Sequence, residues 1–472
     1  MPTKQPTRLP TSQPSSQPST HPTNSLFQSA DLDLRSLSAY SSLGYQLKGS
    51  TSSYYLGSAV SGAGDVNGDG KADILVGASG ASSGAGIVYV MYGTGAVSPA
   101  NNINMQDFVN GYRILGPAGL GVGSPAQSLA GVGDINGDGF DDIVVGVPNY
   151  NSFTGMAYVI FGKSSRTDLA LASFSTSNSN GYRIYGIAAQ DSTANLVAPV
   201  GDLNGDGLAD FMLGAYWATT SNGARSGHAH VLFGRFYATF TYADIQLSSF
   251  TAGAAGFQVL GAAASNFLGK NGGYAGDING DGIDDFVVVA DGATAAGRAS
   301  AGIVYVIFGK GLGGAVTTVD LNTLATGATT CFRILGPQAS NFLRFAAAAG
   351  DVNGDGVDDL VVGGNQLTAA TYTNAGAVYV VYGHTHAQSP IADVNLLNFD
   401  STTSLGYKIA GFRAEDKFGL YVRGIGDFNS DGYADFMAGA EGADLPGRDN
   451  VGAVYVFYGG SSATPIPPQD LG

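Results

Sequence analysis

Residues 202–210 read DLNGDGLAD, and this nine-residue pattern occurs six times along the 472-residue chain. The other copies are DVNGDGKAD at Asp65–Asp73, DINGDGFDD at Asp134–Asp142, DINGDGIDD at Asp277–Asp285, DVNGDGVDD at Asp351–Asp359 and DFNSDGYAD at Asp427–Asp435. Their starts lie 69, 68, 75, 74 and 76 residues apart. That period is too long for a helical solenoid repeat and long enough for one four-stranded sheet with generous loops. The flanks repeat as well. An apolar run follows each copy (ILVGAS, IVVGVP, FMLGAY, FVVVAD, LVVGGN, FMAGAE), and after a variable loop comes a second, such as GIVYVMYG or GAVYVFYG. A third motif follows about 20 residues later: GYRILG at Gly111, GYRIYG at Gly181, GFQVLG at Gly256, CFRILG at Cys331 and GYKIAG at Gly406. Aromatic and β-branched residues fill these runs and glycine bounds them, which is the signature of strands.

No helical periodicity is sustained, so the expected fold is all-β. Strand A precedes each acidic segment, and B, C and D follow it. Six A-B-C sets run from about Gly57 to Gly459, while a sixth D motif, GYQLKG at Gly44–Gly49, stands ahead of the first A strand. The expectation is a β-propeller of six four-stranded blades, closed when this N-terminal D strand pairs with the last blade. Such closure removes open sheet edges. A seven-bladed ring lacking one blade is the alternative, because SSATPIPPQDLG at the C-terminus reads as the start of a further linker. The propeller is assigned to 31–460, with a Pro/Ser/Thr/Gln-rich disordered stalk at 1–30 and a tail at 461–472.

Within each acidic copy, alternate side chains of a tight loop direct oxygens inward. Position 1 is Asp65, Asp134, Asp202, Asp277, Asp351 or Asp427, and position 3 is Asn67, Asn136, Asn204, Asn279, Asn353 or Asn429. Position 5 is Asp69, Asp138, Asp206, Asp281, Asp355 or Asp431, and position 9 is Asp73, Asp142, Asp210, Asp285, Asp359 or Asp435. A backbone carbonyl at position 7 (Lys71, Phe140, Leu208, Ile283, Val357, Tyr433) would complete an oxygen shell suited to Ca²⁺. Imidazole and thiolate ligands are absent from the pattern, which argues against zinc or copper. Position 12 carries no Glu, so these are not EF-hands. A single copy would read equally well as a hairpin turn; six copies at one place in the repeat read as about six calcium sites.

This pattern resembles the FG-GAP repeats of the integrin α-subunit propeller, with the runs VGAS and VGVP after the loops and Phe418-Gly419 and Leu268-Gly269 before them. The resemblance implies calcium in the A–B loops on one face and an extracellular protein or glycan ligand on the opposite face. The loops expected there offer Tyr150, Tyr216, Trp217, Arg225, Arg298 and Arg448, residue types that commonly anchor partner contacts. At a dissociation constant of about 10⁻⁴ M, each site would gain about 1.4 kcal/mol in about 1 mM Ca²⁺. The same sites would stand nearly empty in cytosol, so an extracellular or cell-surface location is expected.

Composition excludes other classes. A net charge of −16 lacks the cationic footprint that nucleic acid requires. One cysteine, Cys331, permits no internal disulfide. No run of about 18 apolar residues exists, and the first 25 residues hold no apolar signal-peptide core. Gly162-Lys163-Ser164 lacks the preceding glycine of a phosphate loop, since that position is Ala157. His228 and His230 stand where a sister repeat has Ile303 and Tyr305, which reads as repeat drift rather than a metal pair. No catalytic constellation emerges, and no enzyme is expected. The runner-up function is the accessory propeller of a larger secreted hydrolase, phospholipase D-like or carbohydrate-active.

Overall fold

A computed structural model describes residues 46–94, 103–124, 127–311, 316–324, 330–368, 372–384, 391–399, 404–444 and 450–461. The stalk, Arg448 and nearly all of the tail lie outside these residues. The chain divides into two units, 1–47 with 96–103 and 48–95 with 104–472. In the first, the Ile103 N–H donates to the Gln46 carbonyl at 2.9 Å.

The larger unit is built from antiparallel sheets in the order A-B-C-D, as the repeats dictate. In the second repeat, strand A is Leu129–Gly133, B is Asp142–Val147, C is Met156–Ile160 and D is Gly181–Tyr185. B and C are buried on both faces, which explains why they read as unbroken apolar runs rather than as alternation. Four of the sheets gain a fifth, short strand that runs parallel to D; in the second sheet Ile245–Gln246 lies beside Ile184–Tyr185. The linkers supply these strands, a feature the four-stranded expectation omitted.

Strand A ends in a bulge at a glycine of positive φ, such as Gly133 at 80° and Gly201 at 80°, which turns the chain into the acidic loop. Core clusters form between successive sheets. Val287 and Val289 of the fourth repeat, for instance, pack with Leu360 and Val362 of the fifth. This is a propeller-type architecture of six consecutive sheets.

The expected closing pair is not made among the described residues. The last sheet has three strands, Phe418–Gly426, Asp435–Ala440 and Ala453–Phe457, and among the described residues no strand lies on the outer edge of the third. Leu47–Lys48 lies instead beside Ile103–Asn104. Other D strands also have a linker strand along their outer edge, so this segment keeps that half of a D strand's pairing without the other.

Candidate metal loops and the opposite loop face

Each acidic loop joins A to B and is folded by its own side chains. In the third, Asp202 accepts from the Asp206 and Gly207 amides at 3.1 and 2.7 Å. Asn204 accepts from the Asp206 N–H at 2.8 Å, and Asp206 accepts from the Leu208 N–H at 2.9 Å. Positive φ at position 4 tightens the turn: glycine supplies it in five copies and Ser430, at 62°, in the sixth.

Position 9 has a further task. Asp210 is fully buried, and its carboxylate accepts from the Leu203 N–H at 3.0 Å and from Gly234, beyond strand C, at 2.9 Å. The other five copies repeat both bonds, the second to Gly93, Gly162, Gly309, Gly383 and Gly459. Burial pushes the Asp210 and Asp285 carboxyls up to about 8 and Asp359 up to about 7, and the acidic neighbours at positions 5 and 1 add to the rise. These are carboxylates that gain from a nearby cation.

The loops are also joints between repeats. The position 2 carbonyl accepts from the third residue after strand C of the next repeat: Lys163 to Val66 at 2.8 Å, Arg235 to Ile135 at 2.7 Å and Lys310 to Leu203 at 2.7 Å. Where position 8 is aspartate, its carboxylate reaches back to the position 1 amide of the preceding loop. Asp284 takes the Asp202 N–H at 2.7 Å, Asp358 takes that of Asp277 at 3.0 Å and Asp141 takes that of Asp65 at 2.6 Å. Sequence reading passed over this residue, although its alternation between Asp and Ala across the copies was in view.

The donor set fits a hard divalent cation: every candidate ligand is an oxygen, and the buried Asn279 Oδ1 at position 3 has no hydrogen-bond partner among the described residues. Among the described residues, no three His, Cys, Asp or Glu side chains converge on one point. The position 1 carboxylate of each loop is turned onto the loop's own amides.

On the opposite side, beyond strand B of the third repeat (Asp210–Ala215), three of the partner residues expected from sequence come together. The Arg225 guanidinium lies 4.4 Å over the Trp217 ring, and Tyr216 lies 5.5 Å from Trp217. Residues missed in the sequence extend the group. Phe267 meets Trp217 edge-on at 6.0 Å, and Lys270 sits 5.7 Å over Tyr216 while pairing with buried Asp291 at 2.9 Å. Trp217 stays 37% exposed, so the cluster faces solvent. Tyr150 packs against Tyr185 at the edge of a core cluster. Arg298 is committed to the Gly336 carbonyl and the Asn395 side chain, both at 2.8 Å. Cys331 is buried and its thiol is pushed up to about 11, as suits an inert core residue.

The architecture and loops define a propeller-type protein built of repeats that each carry one acidic loop. Comparison with known families makes this specific. The FG-GAP repeat model matches residues 56–91, 126–160, 195–232, 272–307, 344–381 and 424–457, so the chain carries six FG-GAP repeats, one per sheet. It is 34% identical over 187 residues to phosphatidylinositol-glycan-specific phospholipase D of Bos taurus, covering 39% of this chain and 20% of that protein. It is 28% identical over 280 residues to integrin alpha pat-2 of Caenorhabditis briggsae, covering 58% of this chain and 20% of the relative. With integrin alpha-PS2 of Drosophila melanogaster the figures are 28% over 144 residues, 30% and 9%. The chain thus spans a fifth or less of each of these relatives. Among the described residues no helix is long and apolar enough to cross a membrane.

Proposed function

We propose that the chain is a calcium-stabilised extracellular interaction module that binds a protein or glycan ligand on the loop face opposite the acidic loops. The observation that carries this reading is the solvent-facing group of Trp217, Tyr216, Arg225 and Lys270, two aromatic rings each covered by a cation. Aromatic and arginine side chains on loops of a rigid scaffold are frequent energetic centres of interfaces. Calcium is structural in this account. It neutralises loops that tie one repeat to the next and so holds the loop face in shape.

A binding screen of the calcium-loaded chain against matrix proteins and glycans tests the reading. The expected result is a ligand lost by Trp217→Ala and weakened by chelator. Ligands unaffected by that substitution would contradict the placement of the site. The match to a phospholipase D supports a second reading, an accessory propeller of a larger secreted hydrolase. In that case the same face would contact a catalytic domain, and the screen would return no free ligand.

A further inference from the structure

One feature of the third repeat has no counterpart in its sisters. Between strand C and the linker strand the chain reads GRFYATFTYA at 234–243, where the next repeat has GKGLGGAVTT. This aromatic loop walls a cavity of about 210 Å³, lined among others by Tyr182, Arg235, Phe240, Tyr242, Asp244 and Phe250. The corresponding gap one repeat further on measures about 60 Å³ and is lined mainly by apolar groups.

The wall is built in advance. The loop is pinned to the neighbouring acidic loop by Arg235 N–H to the Ile135 carbonyl at 2.7 Å and Tyr237 N–H to the Asn136 carbonyl at 2.8 Å. Asn178 then clamps it from the other side, donating to the Phe240 carbonyl at 2.8 Å and accepting from the Tyr242 N–H at 3.0 Å. The Tyr242 hydroxyl donates to the Arg235 carbonyl and closes the loop on itself. A cavity fixed this way loses little ordering entropy when it is filled.

Its chemistry is selective. Tyr182 and Tyr242 stack at 5.2 Å with 15° between planes, and Phe240 meets Tyr242 edge-on at 5.1 Å, so the walls are ring faces and edges. Tyr182 is 4% exposed and lines the cavity. Asp244 is already neutralised by Arg183 at 2.6 Å. Arg235, which lies 4.6 Å over Phe240, has no carboxylate partner among the described residues. The volume is well below the ~300 Å³ at which drug-sized sites begin and suits one six-membered ring. A planar guanidinium binds a carboxylate through two parallel hydrogen bonds.

We propose that this cavity binds a single acidic sugar unit, a pyranose bearing a carboxylate, as in the uronic acid units of an acidic polysaccharide. The ring lies against the tyrosine and phenylalanine walls, Arg235 takes the carboxylate, and Tyr182 takes a ring hydroxyl. The site is on the acidic-loop side, separate from the Trp217 group, so it stands or falls independently of the function proposed above.

Titration calorimetry of the full chain in calcium-containing buffer decides it, with trigalacturonate, maltotriose and triglutamate as probes. Trigalacturonate should bind at least tenfold tighter than maltotriose, and triglutamate should not bind. Arg235→Gln should erase the preference for the acidic sugar, Tyr182→Phe should weaken binding severalfold, and Trp217→Ala should leave it unchanged. Melting curves check that each variant folds. Failure of both sugars to bind would overturn the proposal. So would triglutamate matching trigalacturonate, or an Arg235→Gln variant that keeps the preference.

Discussion

Ser430 is the one non-glycine at position 4 of the acidic loops, and it adopts a φ of 62° where its five counterparts are glycines at 67–77°. A Cβ in the left-handed region costs about 1 kcal/mol. Ser430→Gly should therefore stabilise the chain by about 0.5–1 kcal/mol, less than the full strain because glycine also loosens the unfolded chain. Urea unfolding reads the difference. His228 and His230 carry a larger misfit. Both are buried, and both nitrogens of His228 and Nδ1 of His230 have no partner among the described residues. Burial pulls the His228 imidazole down to about 4 and His230 well below its ordinary value. The unfolded chain thus takes up protons between about pH 6.5 and 4 that the folded chain refuses, so the contribution of these two histidines is fully present above pH 6.5 and is lost through that window. The double substitution His228→Ile, His230→Tyr, which installs the residues of the next repeat, should raise the melting temperature and flatten its decline from pH 6.5 to 4. An unchanged acid slope would contradict this.

At the scale of the element, the acidic loop is both a turn and a joint, and position 8 shows it most plainly. Asp284 accepts the Asp202 amide of the preceding loop, a charge-assisted bond of the kind worth about 1.5–3 kcal/mol. Asp284→Ala should cost about that much, whereas Ala209→Gly at the equivalent position of the third loop should cost much less. Paired urea titrations compare the two. The strands and loops themselves were legible because glycine, β-branched residues and alternate oxygens report local geometry. The joints were not. Whether the residue after strand C meets the loop of its own repeat or of the preceding one is set by how sheets stack, and no local pattern encodes that. The linker strands escaped for the same reason: two residues, such as Ile245–Gln246, are too short to show alternation. Arg333 and Asp393 form a pair 60 residues apart that only the parallel linker pairing brings together. The same pairing committed Arg298, expected to meet a partner, to Asn395.

At the scale of the whole molecule, the faces sealed between consecutive repeats are open on the outer sheets. Ile74 of the first repeat is 39% exposed, while Ile143, Phe211, Phe286, Leu360 and Phe436 at the same position are fully buried. Val454 of the last strand is 68% exposed, where Val88, Val304 and Val378 are fully buried. An unpaired apolar strand edge invites edge-to-edge association. Val454→Lys with Val456→Lys should therefore reduce self-association in light scattering, and no change would show that this edge is covered in solution. Calcium dependence belongs to this scale too. Asp210 and Asp285, held near 8 against an ordinary 3.8, keep protons that the unfolded chain has released, so stability without a cation falls as pH rises from about 4 to about 8. A bound dication removes that loss. The gap in melting temperature between calcium and chelator should widen from pH 5 to pH 8, and a constant gap would argue against metal near these carboxylates.

Equilibrium dialysis of the full chain against millimolar Ca²⁺ decides whether the six acidic loops are cation sites. About six ions should bind per chain, with one fewer in Asp202→Ala, Asp206→Ala. Binding of no more than a single ion would contradict that assignment and reduce the loops to turns held by their own amides.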